Sequence, residues 1–143
     1  MMKGLVLAGA MIAGASLYVM APQAKAADGG GGCSGKLVEY VPFTANGQKI
    51  GQLQLYYNAQ TGANCALMLH GGSTWGVTRD TGVALYRKRR GDQNYSQPAY
   101  QRGAYRYQAG PIRTAGDGWC VRAGGGITHA GKHHSLYTGA HCG

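Results

Sequence analysis

The chain has 143 residues, with 14 Lys and Arg against five Asp and Glu, and a formal net charge of +9; 26 residues are Gly, ten are Tyr and four are Cys. The acids are few and scattered (Asp28, Glu39, Asp80, Asp92 and Asp117), which argues against the paired-carboxylate chemistry of glycosidases. The basic balance instead favours anionic polymers as partners, through long-range attraction and counterion release.

Lys3 gives a short positive start, and an uncharged, mostly apolar run follows from Gly4 to Met20. Pro22 breaks that run, and Ala24-Lys25-Ala26 places small residues where a signal peptidase needs them. Residues 1–26 therefore read as a signal peptide cleaved before Ala27. The run is marginal in length for a bilayer core of about 30 Å, and Cys33 follows four glycines rather than a lipobox. The protein is expected to be secreted, extracellular or at the cell surface, with no stable membrane span after cleavage. Only Lys3 and Lys25 leave with the leader, so the exported part stays basic.

Residues 27–32 form a flexible Gly-rich lead, and 33–143 a single domain by length. Cys33, Cys65, Cys120 and Cys142 are an even set in a small exported chain, which reads as two disulfides. Of three connectivities, sequence locality favours Cys33–Cys65 with Cys120–Cys142. Cys33–Cys142 with Cys65–Cys120 is the rival, and loop-closure arguments do not separate them.

Short strand-like runs follow one another between turn signals. Lys36–Val41 is a first strand closed by Pro42, and Ala45-Asn46-Gly47-Gln48 is a turn. Gly51–Tyr57 alternates, with Leu53, Leu55 and Tyr57 on one face. Residues 58–62 turn, and Asn64–His70 makes a hairpin partner with Cys65, Leu67 and Leu69 on one face. Trp75–Thr78 and Gly82–Arg87 are weaker strands, and Arg87–Pro98 is a polar, basic loop. Tyr100–Ala109 reads as one strand, turned or bulged at Gly110-Pro111. Trp119–Ala123 is the last strand before Gly124-Gly125-Gly126, and a His- and Gly-rich tail follows. No amphipathic helix is evident. The expected fold is all-β, a small antiparallel sandwich or barrel of about seven short strands with two disulfides.

These residues carry a family resemblance. Cys33-Ser34-Gly35, Leu55-Tyr56-Tyr57-Asn58, Thr61-Gly62-Ala63-Asn64-Cys65-Ala66, Tyr107-Gln108-Ala109-Gly110-Pro111-Ile112, Trp119-Cys120-Val121 and the terminal His141-Cys142 resemble the spore-associated protein A family of exported actinobacterial proteins. The resemblance spans nearly the whole exported chain. It implies a small secreted or spore-surface protein without an assigned catalytic mechanism. The basic stretch Arg87-Lys88-Arg89-Arg90 and the His-rich tail depart from that pattern.

No nucleophile is paired with a base, and no cofactor is expected. His70-Gly71-Gly72-Ser73 superficially matches an esterase oxyanion strip but lacks the companion G-x-S-x-G elbow. His129 and His133 have i, i+4 spacing, but glycines surround them and no carboxylate accompanies them, so no metal site is expected. The candidate site is a basic, aromatic one: Arg87, Lys88, Arg89 and Arg90, flanked by Tyr86 and Tyr95, with Arg102, Arg106, Tyr100, Tyr105 and Tyr107 downstream. Cations hold an anionic backbone while rings stack. Trp75 and Trp119 read as core anchors, with a carbohydrate platform as the sharper alternative. The function expected is a non-enzymatic protein held to envelope or spore-surface polymers by that basic, tyrosine-rich face, with no specific nucleic acid as partner. A secreted module for a glycan or other anionic polymer is the alternative.

Overall fold

The computed structural model describes residues 31–143. The expected signal peptide, residues 1–26, and residues 27–30 of the expected lead lie outside them. Strands β1 (Lys36–Ala45) and β2 (Gln48–Asn58) form a hairpin whose turn holds Asn46 at φ 53° and Gly47 at φ 77°. Two successive left-handed residues give the turn whose twist matches a right-handed strand pair, which is why Asn-Gly marks it. In the next turn Asn58 Oδ1 accepts from the Gln60 N–H at 2.9 Å, and the Gly62 N–H donates to the Asn58 carbonyl at 2.8 Å.

β3 (Ala63–His70) leads through one 3-10 turn, Gly72–Thr74, to β4 (Arg79–Lys88) and β5 (Ser96–Tyr105). The chain then makes β6 (Gln108–Ala115), β7 (Cys120–His129), β8 (Lys132–Tyr137) and the short β9 (His141–Cys142). One sheet has the order β1-β2-β3-β6 and the other β5-β4-β7-β8, with β9 also pairing β7. All the pairings are antiparallel. The all-β expectation holds, with nine strands among the described residues, because the His-rich tail folds back as β8 and β9. Both disulfides have the pairing that sequence locality favours, Cys33–Cys65 and Cys120–Cys142.

The core lies between the sheets. Phe43, Ile50, Leu53, Leu55, Ala66, Met68 and Ala109 of the first meet Val83, Leu85, Val121, Ala123 and Ile127 of the second. Alternation along each strand decides which face every other residue joins.

Several expectations are corrected. Pro42 does not close β1, since the strand runs on to Ala45. β1 is a sheet edge, where a residue without an N–H is tolerated. On β3 the inward face is Ala66 and Met68, while Cys65 and Leu67 point away from the sandwich. Leu67 is nonetheless fully buried, because residues 31–35 cross that outer face. Gln108 Nε2 donates to the Gly31 carbonyl at 2.8 Å, Arg113 donates to the Gly32 carbonyl, and Cys33 is bonded to Cys65.

Trp75–Thr78 is not a strand. The loop read as Arg87–Pro98 is shorter, because Arg87 and Lys88 belong to β4 and Pro98 to β5. The run Tyr100–Ala109 is two strands in different sheets, broken at Arg106 and Tyr107. Gly110-Pro111 does mark a bulge, at the register shift opposite Ala66 and Met68. Gly110 has φ 87°, and a Cβ there would lie 2.8 Å from the Ala66 carbonyl oxygen, so only glycine fits. Finally, Gly124-Gly125-Gly126 does not end β7, which continues to His129.

Candidate binding face

The residues predicted to act together are spread over the second sheet and its two ends. At one end the Arg87 and Arg89 guanidinium groups stack on the Trp119 ring, 4.0 and 3.7 Å from its centroid. Arg87 Nη1 donates to the Ala115 carbonyl at 2.8 Å and Arg89 Nη1 to that of Gly118 at 3.1 Å. Both therefore clamp the β6–β7 connection, and Trp119 is an anchor beneath them. Arg90 is exposed in the loop that follows β4.

Arg106 and Tyr107 lie at the opposite end of β4, in the β5–β6 connection. Arg106 Nε donates to the Gly76 carbonyl at 3.1 Å, and Tyr107 packs on Trp75 with ring centroids 4.8 Å apart. Tyr105 packs against the core, and burial raises its hydroxyl pKa, so it leaves the predicted face.

What the fold assembles instead is the outer face of the second sheet. Register aligns four strands side by side. Gly82 lies between Arg102 and Gly126, and Gly126 is followed by Ser135. In the next outward row Ala84 lies between Tyr100 and Gly124, and Gly124 is followed by Tyr137. Small residues in the middle and large ones outside make an open trough of about 180 Å³. The glycines are required where rings lie above them. A Cβ on Gly124 would be 2.8 Å from Tyr137 Cε1 and 3.2 Å from Tyr86 Cε2, and one on Gly126 would be 2.6 Å from His133 Nε2. This explains why the triple glycine stays inside a strand.

The polar groups at the trough are specific. Arg102 Nε and Nη2 donate to the two Asp80 carboxylate oxygens at 2.9 and 2.6 Å. That fork lowers the Asp80 pKa and raises that of Arg102. At the other end Arg122 is ringed by Tyr95, Tyr137 and Tyr86, its guanidinium 4.7, 4.9 and 5.5 Å from their centroids. Arg122 Nε is buried without a hydrogen-bond partner among the described residues. Lys88 Nζ lies 5.2 Å from the Tyr95 centroid.

Sequence reading named Arg102, Lys88, Tyr86, Tyr95 and Tyr100 but missed Arg122, Tyr137 and Asp80. The available signal was the pair of small residues at i, i+2 in Gly82-Val83-Ala84 and Gly124-Gly125-Gly126, which on a strand leaves one face bare.

Several other polar groups are engaged within the fold. His70 is buried, its Nδ1–H donating to the Thr74 carbonyl at 2.9 Å and its Nε2 lying 2.7 Å from Thr81 Oγ1. Burial lowers its pKa. Glu39 accepts from the Gly139 N–H and pairs with His141 Nε2 at 2.6 Å. The Tyr57 hydroxyl donates to Asp117, which raises the Tyr57 pKa. Tyr57 and His141 border a cavity of about 270 Å³ beside Val38, Asn64 and Cys142. The tail histidines are dispersed, and no group of three metal-ligating side chains occurs among the described residues. No helix among those residues is long and apolar enough to cross a membrane. Both cysteine pairs are bridged, as in proteins of oxidising compartments. No protein-family model matches the chain, and neither does any curated protein or solved structure compared with it.

Proposed function

We propose that this is an exported, non-catalytic protein of the cell or spore surface, as the resemblance to the spore-associated protein A family implies. It is held to the envelope by the outer face of the β5-β4-β7-β8 sheet. The observation that carries this reading is the state of the charges there. Asp80 is taken up by Arg102, whereas Arg122 and Lys88 stand among tyrosines with no carboxylate partner in the described residues. Cations set beside aromatic rings attract an anionic polymer and give it a surface to lie on. A second reading, a secreted module with a defined glycan ligand, is favoured by the trough.

The test is fractionation of the native host into medium, envelope and spore-coat fractions at low and high salt, with mass spectrometry of the unreduced protein. Recovery from envelope or spore, starting at Ala27 and released by salt, supports the proposal. Recovery only as a free species in the medium sinks the surface role. Arg122→Gln with Lys88→Gln should shift the protein from envelope to medium at low salt, because neither charge has a carboxylate partner among the described residues.

A further inference from the structure

The geometry points to the glycine-floored trough as a binding site for pyranose rings of an acidic polysaccharide, an inference that rests on the envelope-binding reading and names its ligand. The floor is Gly82 and Ala84 of β4 beside Gly126 and Gly124 of β7. Tyr137 and Tyr86 stand over Gly124 and His133 over Gly126, so the open part of the trough is the space of about 180 Å³ between these rings, Tyr100 and Arg102, with Ala84 beneath it. Tyr100 and Tyr137 rise from the flanking strands and are 56% and 51% exposed; Tyr137 lies against Gly124 and Tyr86, so Tyr100 offers the freer ring surface.

The hydrogen-bonding groups fit a polyol. The Asp80–Arg102 fork is close to neutral as a unit, so it presents fixed acceptors and donors to hydroxyl groups rather than a bare charge. Ser135 and His133 line the same trough. The net positive charge sits at one end, on Arg122, two residues along β7 from the Gly124 floor. A ring seated in the trough against Tyr100 thereby places a carboxylate substituent, or the acidic group of the adjoining sugar, toward a guanidinium that has no carboxylate partner among the described residues. A polyol phosphate without rings satisfies Arg122 but leaves the floor and the tyrosine walls empty.

Gly82 makes the inference testable without disturbing the fold. Its φ lies outside the left-handed region, and an added Cβ would meet only the Arg102 side chain, at 3.4–3.6 Å. Gly82→Ala should fold as well as the parent and place a methyl group on the floor. The disulfide-bonded protein is titrated calorimetrically with polygalacturonate and, at equal charge concentration, with poly(glycerol phosphate). The expected result is saturable binding of polygalacturonate, tighter than that of the phosphate polymer by about tenfold, with the preference cut about three- to tenfold by Gly82→Ala or Tyr100→Ala. Arg122→Gln should weaken both polymers alike. Equal binding of the two polymers, unchanged by Gly82→Ala and Tyr100→Ala, overturns the sugar site and leaves envelope binding by charge intact. Preference for duplex DNA or for the phosphate polymer also overturns it. Binding of none of these polymers removes the parent reading as well.

Discussion

The two sheets treat their outer faces in opposite ways. On the first, Gln54, Tyr56, Cys65 and Leu67 point away from the sandwich yet are buried, beneath the segment that Cys33 bolts to Cys65. On the second, the corresponding face carries Gly82, Ala84, Gly124 and Gly126 in the middle, with Tyr100 and Tyr137 exposed beside them. One sheet has two packed faces and serves stability. The other has one packed face and leaves a shaped, charged surface. The difference teaches that outward-pointing residues carry function here only where no chain covers them.

Leu67→Ala gives the largest expected effect. Although it lies outside the sandwich core, full burial predicts a loss of about 2–5 kcal/mol, measured by urea unfolding; a loss below about 1 kcal/mol would show that the first outer face is not packed in solution.

Next is the staple itself. Replacing Cys33 and Cys65 with Ala should cost about 2–4 kcal/mol. The two bridges should also differ in access: Cys65 and Cys120 are both buried, but Cys33 is half-buried whereas Cys142 is exposed. Alkylation mass spectrometry under limiting thiol should therefore find Cys120 and Cys142 modified first. Simultaneous opening of both bridges contradicts the contrast.

His70 supplies a pH dependence that belongs to the packed side. Its folded pKa is lowered from 6.5 by burial, so the unfolded chain takes up the proton first as pH falls. Its contribution is complete above the unfolded value and is lost as pH falls through the lowered folded value. The urea midpoint should fall on acidification below about pH 6.5, and His70→Gln should flatten that part of the profile. A parent profile unchanged across this window would refute neutral burial of His70.

The smallest effect is expected on the open face. Tyr100→Ala should change stability by less than about 0.5 kcal/mol while altering polymer binding. A loss comparable with that of Leu67→Ala would mean that Tyr100 is a packing residue and that the two faces do not differ.

Much of the local structure was legible from the sequence. Asn46-Gly47 and Asn58 to Gly62 specify their turns through their own backbone chemistry, and the alternation of Leu53 and Leu55 shows the core face of β2. Other features were not legible, for identifiable reasons. Tyr100 to Ala109 reads as one strand because nothing in Tyr105-Arg106-Tyr107-Gln108 is a turn former. The chain crosses between sheets there because Tyr105 pairs with Arg79 in one sheet while Gln108 pairs with Leu69 in the other. Which face of β3 meets the core was not legible because both of its faces are apolar, and period two cannot rank them. The basic cluster divided because Arg87 and Arg89 face Trp119, which only the β4–β7 register brings beside them.

By itself, then, the sequence determined an all-β chain with its main turns and four cysteines, since those properties depend on neighbours within a few residues. Tertiary structure alone decided the choice of bridges, the covering of one sheet and the baring of the other. Those outcomes depend on register between strands distant in the chain, and register sets which side chains stand over a glycine and which over a ring.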